Sequence, residues 1–168
     1  VFIALFLAVR LVITKLDLFW VALAGALVGL ILSNPLQLCE GSVESEELFT
    51  GLLVHDGLTI AIRSILMLFL VLFLIFTKIS GVPDKEDGAD VYSLVFGSTL
   101  GMCLMASANH LLIVFLAIEM AGVPSYVLAG LIKGRKRGSE SALKYAIYGA
   151  GAAGVMLYGI SLLVGLSG

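Results

Sequence analysis

The sequence predicts an all-α protein, a bundle of membrane-spanning helices, and three observations carry that expectation. Hydrophobic residues make up 60% of the chain, charged residues 13%, and the mean hydropathy is +1.12. A soluble globular domain is nearer half apolar and a quarter charged. Second, polar or turn-rich stretches mark off apolar runs of about 20 residues, the length that crosses roughly 30 Å of hydrocarbon at 1.5 Å per residue. Third, the runs lack the period-two alternation of a barrel strand. Because backbone groups in lipid must bond within their own segment, helices follow. The net charge of −2 with few basic residues excludes a nucleic-acid binder. Cys39 and Cys103 have no ligand-like spacing, which excludes a disulfide framework or zinc site, and no metal or cofactor is expected on this chain.

Six spans are expected in one transmembrane domain over 1–168. The first covers about 1–14. It opens at VFIALFLAV without an initiator methionine, a basic region or a cleavage site, so the chain reads as a piece of a longer protein. The second, about 18–32, stops at Ser33-Asn34-Pro35. An acidic linker with Glu40, Glu44, Glu46 and Glu47 leads to the third, about 57–77. GVPDKEDGAD makes a polar turn, and the fourth covers about 91–106. Ser107-Ala108-Asn109-His110 turns into the fifth, about 110–132, and KGRKRGSE separates it from the sixth, about 141–166.

The basic residues sort by loop, which supports this count. Arg10, Lys15, Lys78, Lys85, Lys133, Arg135, Lys136 and Arg137 all fall on one side, the cytoplasmic side by the positive-inside rule. The other side holds His55, His110 and the acidic linker. A bias this strong suits a bacterial inner membrane. The pairs Gly25/Gly29 and Gly97/Gly101, and the run GAGAAG at 149–154, read as faces where helices approach closely.

Charges inside the spans are the candidates for function. A carboxylate at the centre of a membrane helix costs about 2.5 to 3.5 kcal/mol on insertion scales, so it needs a partner, water or a proton. Glu119, fourteen residues before Lys133, lies roughly 21 Å below that helix end, too deep to snorkel. Gly122 leaves room beside it, and Pro124 frees the carbonyl of Met120 to hold water. Interhelical glue and a proton pathway are its two readings. Lys144, roughly 10 Å into the sixth span, is open to snorkelling or to a role in a hydrated lining with Ser141, Tyr145 and Tyr148. The depths place the two charges about 10 Å apart along the membrane normal, which argues against a direct salt bridge. Arg63 is expected to snorkel toward the outer surface with Asp56, two turns away, as its partner. His110 is read as a helix cap or a hydrated side chain able to pass protons.

The string SANHLLIVFLAIEMAGVPSYVLAGLIKGRKRGSESALKYAIYGAGAAGVMLYGISLLVGLSG resembles subunit N (subunit 2) of proton-pumping NADH-quinone oxidoreductase, respiratory complex I. The features that carry this are an Asn-His turn, F-L-x-I-E-M, P-x-Y-V-L-x-G, a basic loop, S-E-x-A-L-K-Y, a glycine and alanine run, and L-Y-G-I-S-L. His-Asp-Gly-Leu at 55–58 looks like the family too, and the resemblance is weakest in the first 50 residues. It implies an antiporter-like fold in which Glu119 and Lys144 belong to a charged, hydrated axis through the membrane. Quinone reduction elsewhere in the complex would drive that axis electrostatically.

It also implies partners among the other membrane subunits, and a longer chain that continues into a broken seventh helix and an inverted repeat. The complex as a whole uses NADH, FMN, iron-sulfur clusters and quinone. None is expected on this chain, where GAGAAG lies inside an apolar helix and not after a strand. Two other classes compete: a cation/proton antiporter or membrane-bound hydrogenase subunit, and a non-conducting scaffold in which Glu119 and Lys144 only hold helices together.

Overall fold

The computed structural model describes residues 18–33, 35, 45–81, 88–131 and 136–167. Among them are five helices and one hairpin: α1 (Leu18–Leu32), β1 (Glu46–Leu48), β2 (Leu53–His55), α2 (Gly57–Ser80), α3 (Gly88–Ala106), α4 (Leu111–Ala129) and α5 (Lys136–Ser167). Five helices, not the six expected, are thus found among the described residues. The span expected over 1–14 lies outside the described residues, as does much of the polar turn between α2 and α3. By length and composition α2, α4 and residues Gly138–Leu166 of α5 can each cross a membrane, whereas Phe19–Leu32 of α1 and Asp90–Ala106 of α3 are shorter apolar segments.

The helix ends follow local chemistry. Asp56 caps α2, accepting a hydrogen bond from the Thr59 N–H at 2.8 Å. That bond, with help from the Thr59 side chain, holds its carboxyl below the ordinary carboxylate range. The helix runs on to Ser80, past the expected end at 77, because no breaker intervenes before Gly81, whose φ of 66° forms the left-handed cap. At the start of α5, five residues assigned to the basic loop are helical. The cause is the Glu140 to Lys144 spacing, which supports the first turns with an i,i+4 pair.

The acidic linker is corrected in part. Its last residues form β1, which pairs antiparallel with β2 in the register Glu46 to His55 and Leu48 to Leu53. The turn between them passes through left-handed backbone at Phe49, Thr50 and Gly51. This hairpin is tied to the α3–α4 turn: Val54 N–H donates to Ser107 O at 2.8 Å, and Asn109 N–H to Leu52 O at 3.0 Å. Asn109 Nδ2 also donates to Gly51 O at 3.0 Å.

Packing is of two kinds. Phe19, Ala22 and Ala26 of α1 meet Leu70 and Leu74 of α2 and Tyr92 of α3 in a buried core. There the glycines of α1 seat side chains, Gly25 facing Phe96 and Gly29 facing Met67. Between α3 and α4 the backbones themselves touch. A Cβ built at Gly101 would lie 2.6 Å from Ala121 N and 3.0 Å from Ala117 O, so only glycine admits this approach. Gly97, one turn earlier, receives the ring of Pro124 at 3.5 Å.

Candidate functional site

The helix that carries Glu119 is capped by His110, whose Nδ1 accepts from Leu112 N–H at 3.2 Å. This is the cap role expected of that residue. Pro124 sits inside the helix and lacks the N–H that Met120 O would otherwise receive. The loosened turn attracts hydroxyls. Ser98 of α3 donates to Ala121 O at 3.2 Å, and Ser125 donates to Gly122 O at 2.6 Å.

Ala117, Ala121 and Pro124 face α3, and at 3.6 residues per turn this puts Glu119 on the other side of α4, in line with Gly122 and Tyr126. That side meets α5, where Tyr126 rests on Gly149 and stacks edge-on against Tyr145 with ring centroids 4.8 Å apart. Glu119 is half-buried, and its carboxyl makes no hydrogen bond or ion pair with the described residues. It is not sealed away, and nothing among the described residues neutralises it.

Lys144 is placed elsewhere. Its Nζ donates to Glu140 Oε1 at 2.5 Å, and both side chains are more than 60% exposed. It points away from the α4-facing row of Ala142, Ala146 and Gly149, together with Tyr148, which is 77% exposed. A Cβ at Gly130 would nearly touch that of Ala142, so the two residues lie at one level. Counting eleven residues from Gly130 to Glu119 and two from Ala142 to Lys144 leaves the charges about 13 Å apart along the helix axes. No direct pair forms, in keeping with the depth estimate.

The expected lining splits, because Tyr145 turns inward and brings its hydroxyl 3.4 Å from Ser125 Oγ while Tyr148 turns out. Sequence reasoning passed over Tyr126 and Glu140. Two signals pointed to them: Tyr126 is two turns from Glu119, and Glu140 is one turn from Lys144.

Arg63 requires a correction. Asp56 is engaged as the α2 cap, and Arg63 instead donates from a terminal nitrogen to Ser107 Oγ at 3.0 Å, just past the end of α3. The carbonyls at a helix C-terminus carry partial negative charge, which draws the guanidinium across to the neighbouring helix. Its Nε is buried without a hydrogen-bond partner. Arg63 thus belongs to the α2–α3 joint and not to the Glu119 face.

Apolar membrane-length helices, one of them interrupted by a proline and carrying a carboxyl group in mid-span, make this a transmembrane helix bundle, and the family match and solved relative below make it antiporter-like. The comparisons with known proteins agree. The family model described as NADH:quinone oxidoreductase/Mrp antiporter, TM, matches residues 108–168. The chain is 36% identical over 148 residues to NADH-quinone oxidoreductase subunit N 2 of Chloroherpeton thalassium, an alignment of 86% of this chain and 29% of that one. Against NAD(P)H-quinone oxidoreductase subunit 2, chloroplastic, of Chlorokybus atmophyticus the identity is 34%, over 84% of this chain and 28% of that one.

A chain of respiratory complex I from Thermus thermophilus, solved with bound Aureothin, superposes with a TM-score of 0.70 at 29% identity, covering 98% of this chain and 36% of that one. The chain belongs to the family of NADH-quinone oxidoreductase subunit N and spans less than a third of the length of the curated relatives it matches.

Proposed function

We propose that this segment is part of a proton-translocating membrane-arm subunit of an NADH:quinone oxidoreductase, with Glu119 as its proton-carrying group. The observation that carries this reading is a carboxyl group in mid-span, half-buried and without a partner among the described residues, on the α4 face turned toward α5. A residue kept only to join helices would be expected to bond to one of them. Lys144 is the second group of the pathway. It lies on the outward face of α5 with Tyr148, Gly151 and Gly154, where further helices of a full-length subunit would pack.

In this reading the chain's contribution is electrostatic. A charge change at a distant quinone site alters the proton affinity of Glu119, and water links it to Lys144 across the gap of about 13 Å. NADH, FMN, iron-sulfur and quinone chemistry belong to other subunits, which are the proposed partners. The site is a bacterial inner membrane, or an organellar energy-transducing membrane as the chloroplastic relative suggests. A cation/proton antiporter role is the second reading, favoured by the Mrp antiporter part of the family description.

The deciding experiment is Glu119→Gln in the full-length subunit, with proton uptake measured per quinone reduced in native membrane vesicles. A fall in the stoichiometry with the complex still assembled is expected. An unchanged stoichiometry would return Glu119 to the role of interhelical glue.

A further inference from the structure

Tyr126 has no part in the reading above, yet its hydroxyl occupies an unusual position. A Cβ at Gly149 of α5 would lie only 2.5 Å from its Cζ, and one at Gly122 of α4 would lie 3.1 Å from its hydroxyl oxygen. The phenol is therefore held between two glycines, with its ring fixed by Tyr145 at 4.8 Å. Its hydroxyl makes no hydrogen bond with a described residue, although the hydroxyl of a tyrosine packed this way ordinarily finds a partner.

Glu119 precedes Gly122 by three residues on the same face, a spacing that sets Cβ positions about 5–6 Å apart. Because residue 122 is glycine, no side chain stands between the phenol and the carboxyl group.

We infer that Tyr126 is a positioning residue for Glu119, its hydroxyl donating through one water across the space left open at Gly122 to the Glu119 carboxylate. The inference rests on the reading of Glu119 as an ionisable pathway group and adds what governs its proton. Gly149 gives the ring its seat, and Gly122 keeps the line to the carboxyl group clear. Ser125 donates to Gly122 O at 2.6 Å and lies 3.4 Å from the Tyr145 hydroxyl, so neither of these hydroxyls is bonded to that of Tyr126.

The test uses the full-length subunit in native membrane vesicles and a hydrophobic carbodiimide, which reacts with a carboxyl group only in its protonated form. Tyr126→Phe keeps the ring on Gly149 and removes the donor. Labelling of Glu119, read by mass spectrometry at fixed pH, should become about tenfold faster, the effect of losing one hydrogen bond to the charged form. Gly122→Ala, which places a methyl group in the gap, should act in the same direction.

Unchanged labelling in Tyr126→Phe overturns the inference. So does an equal rise in Tyr145→Phe, whose hydroxyl faces Ser125. Faster labelling in Tyr126→Phe, together with unaltered proton uptake per quinone in Glu119→Gln, supports the hydrogen bond and refutes the pathway role of Glu119, so the two ideas fail separately.

Discussion

Replacing Gly101 by alanine tests whether the α3–α4 contact is as tight as the backbone geometry requires. The added Cβ would lie 2.6 Å from Ala121 N and 2.9 Å from Ala121 Cα, where ordinary contact begins at 3.4 Å. The helices would therefore have to part by about 0.8 Å, and the obstacle is backbone that cannot rotate aside. Overpacking of this kind costs about 1–3 kcal/mol. Parting the helices also stretches the Ser98 to Ala121 hydrogen bond from 3.2 Å, a loss of about 1 kcal/mol.

The better helix propensity of alanine returns about 1 kcal/mol, leaving a net destabilisation of about 1–3 kcal/mol. The assay is reversible unfolding in bicelles. Gly165→Ala, near the end of α5, serves as the control, since a Cβ there meets nothing within 4 Å. Equal stability of the two variants would refute the argument.

Three further outcomes are expected. Asp56→Ala removes the α2 cap and should cost about 0.5–2 kcal/mol; because the folded carboxyl is held low, the wild type should be fully stabilised above the ordinary carboxylate range and lose that increment as pH falls through the lower folded value, a dependence that Asp56→Asn should flatten in unfolding measurements. Ser107→Ala leaves a guanidinium without its side-chain acceptor and should cost about 1.5–3 kcal/mol. In a double-mutant cycle with Arg63→Met the losses should be non-additive, and simple additivity would remove the Arg63–Ser107 pair from the account. Glu140→Gln should change stability by less than about 0.5 kcal/mol, because its pair with Lys144 is exposed, so a marked loss of proton uptake in Lys144→Met would report function and not folding.

The spans that became α1, α2, α3, α4 and the body of α5 were legible because a long run of apolar residues has one solution in lipid. The boundaries were less so. Lys136 to Glu140 looked like loop by charge, but helix propensity and an i,i+4 pair carry the helix into that polar stretch. The hairpin at Glu46–His55 was hidden because its strands are only three residues each and are held from outside, by the carbonyl of Ser107 and the amide of Asn109. Glu119 was marked out by its cost in hydrocarbon. Arg63 was assigned the wrong neighbour because sequence spacing finds partners on one helix and is blind to the next. Tyr126 was passed over for a similar reason, since its significance depends on Gly149, which lies in a different span.

The two flanks of α4 are built to different tolerances. Against α3 the main chains abut at Gly101, so neither helix can slide without first separating, and this flank behaves as a fixed wall. Against α5 the fit at Gly149 depends on one aromatic ring laid on a bare stretch of helix, a surface with few ridges to resist a glide. Strain on α4 would therefore meet main chain on the α3 side and, near Gly149, the ring of a side chain on the side where Glu119 lies.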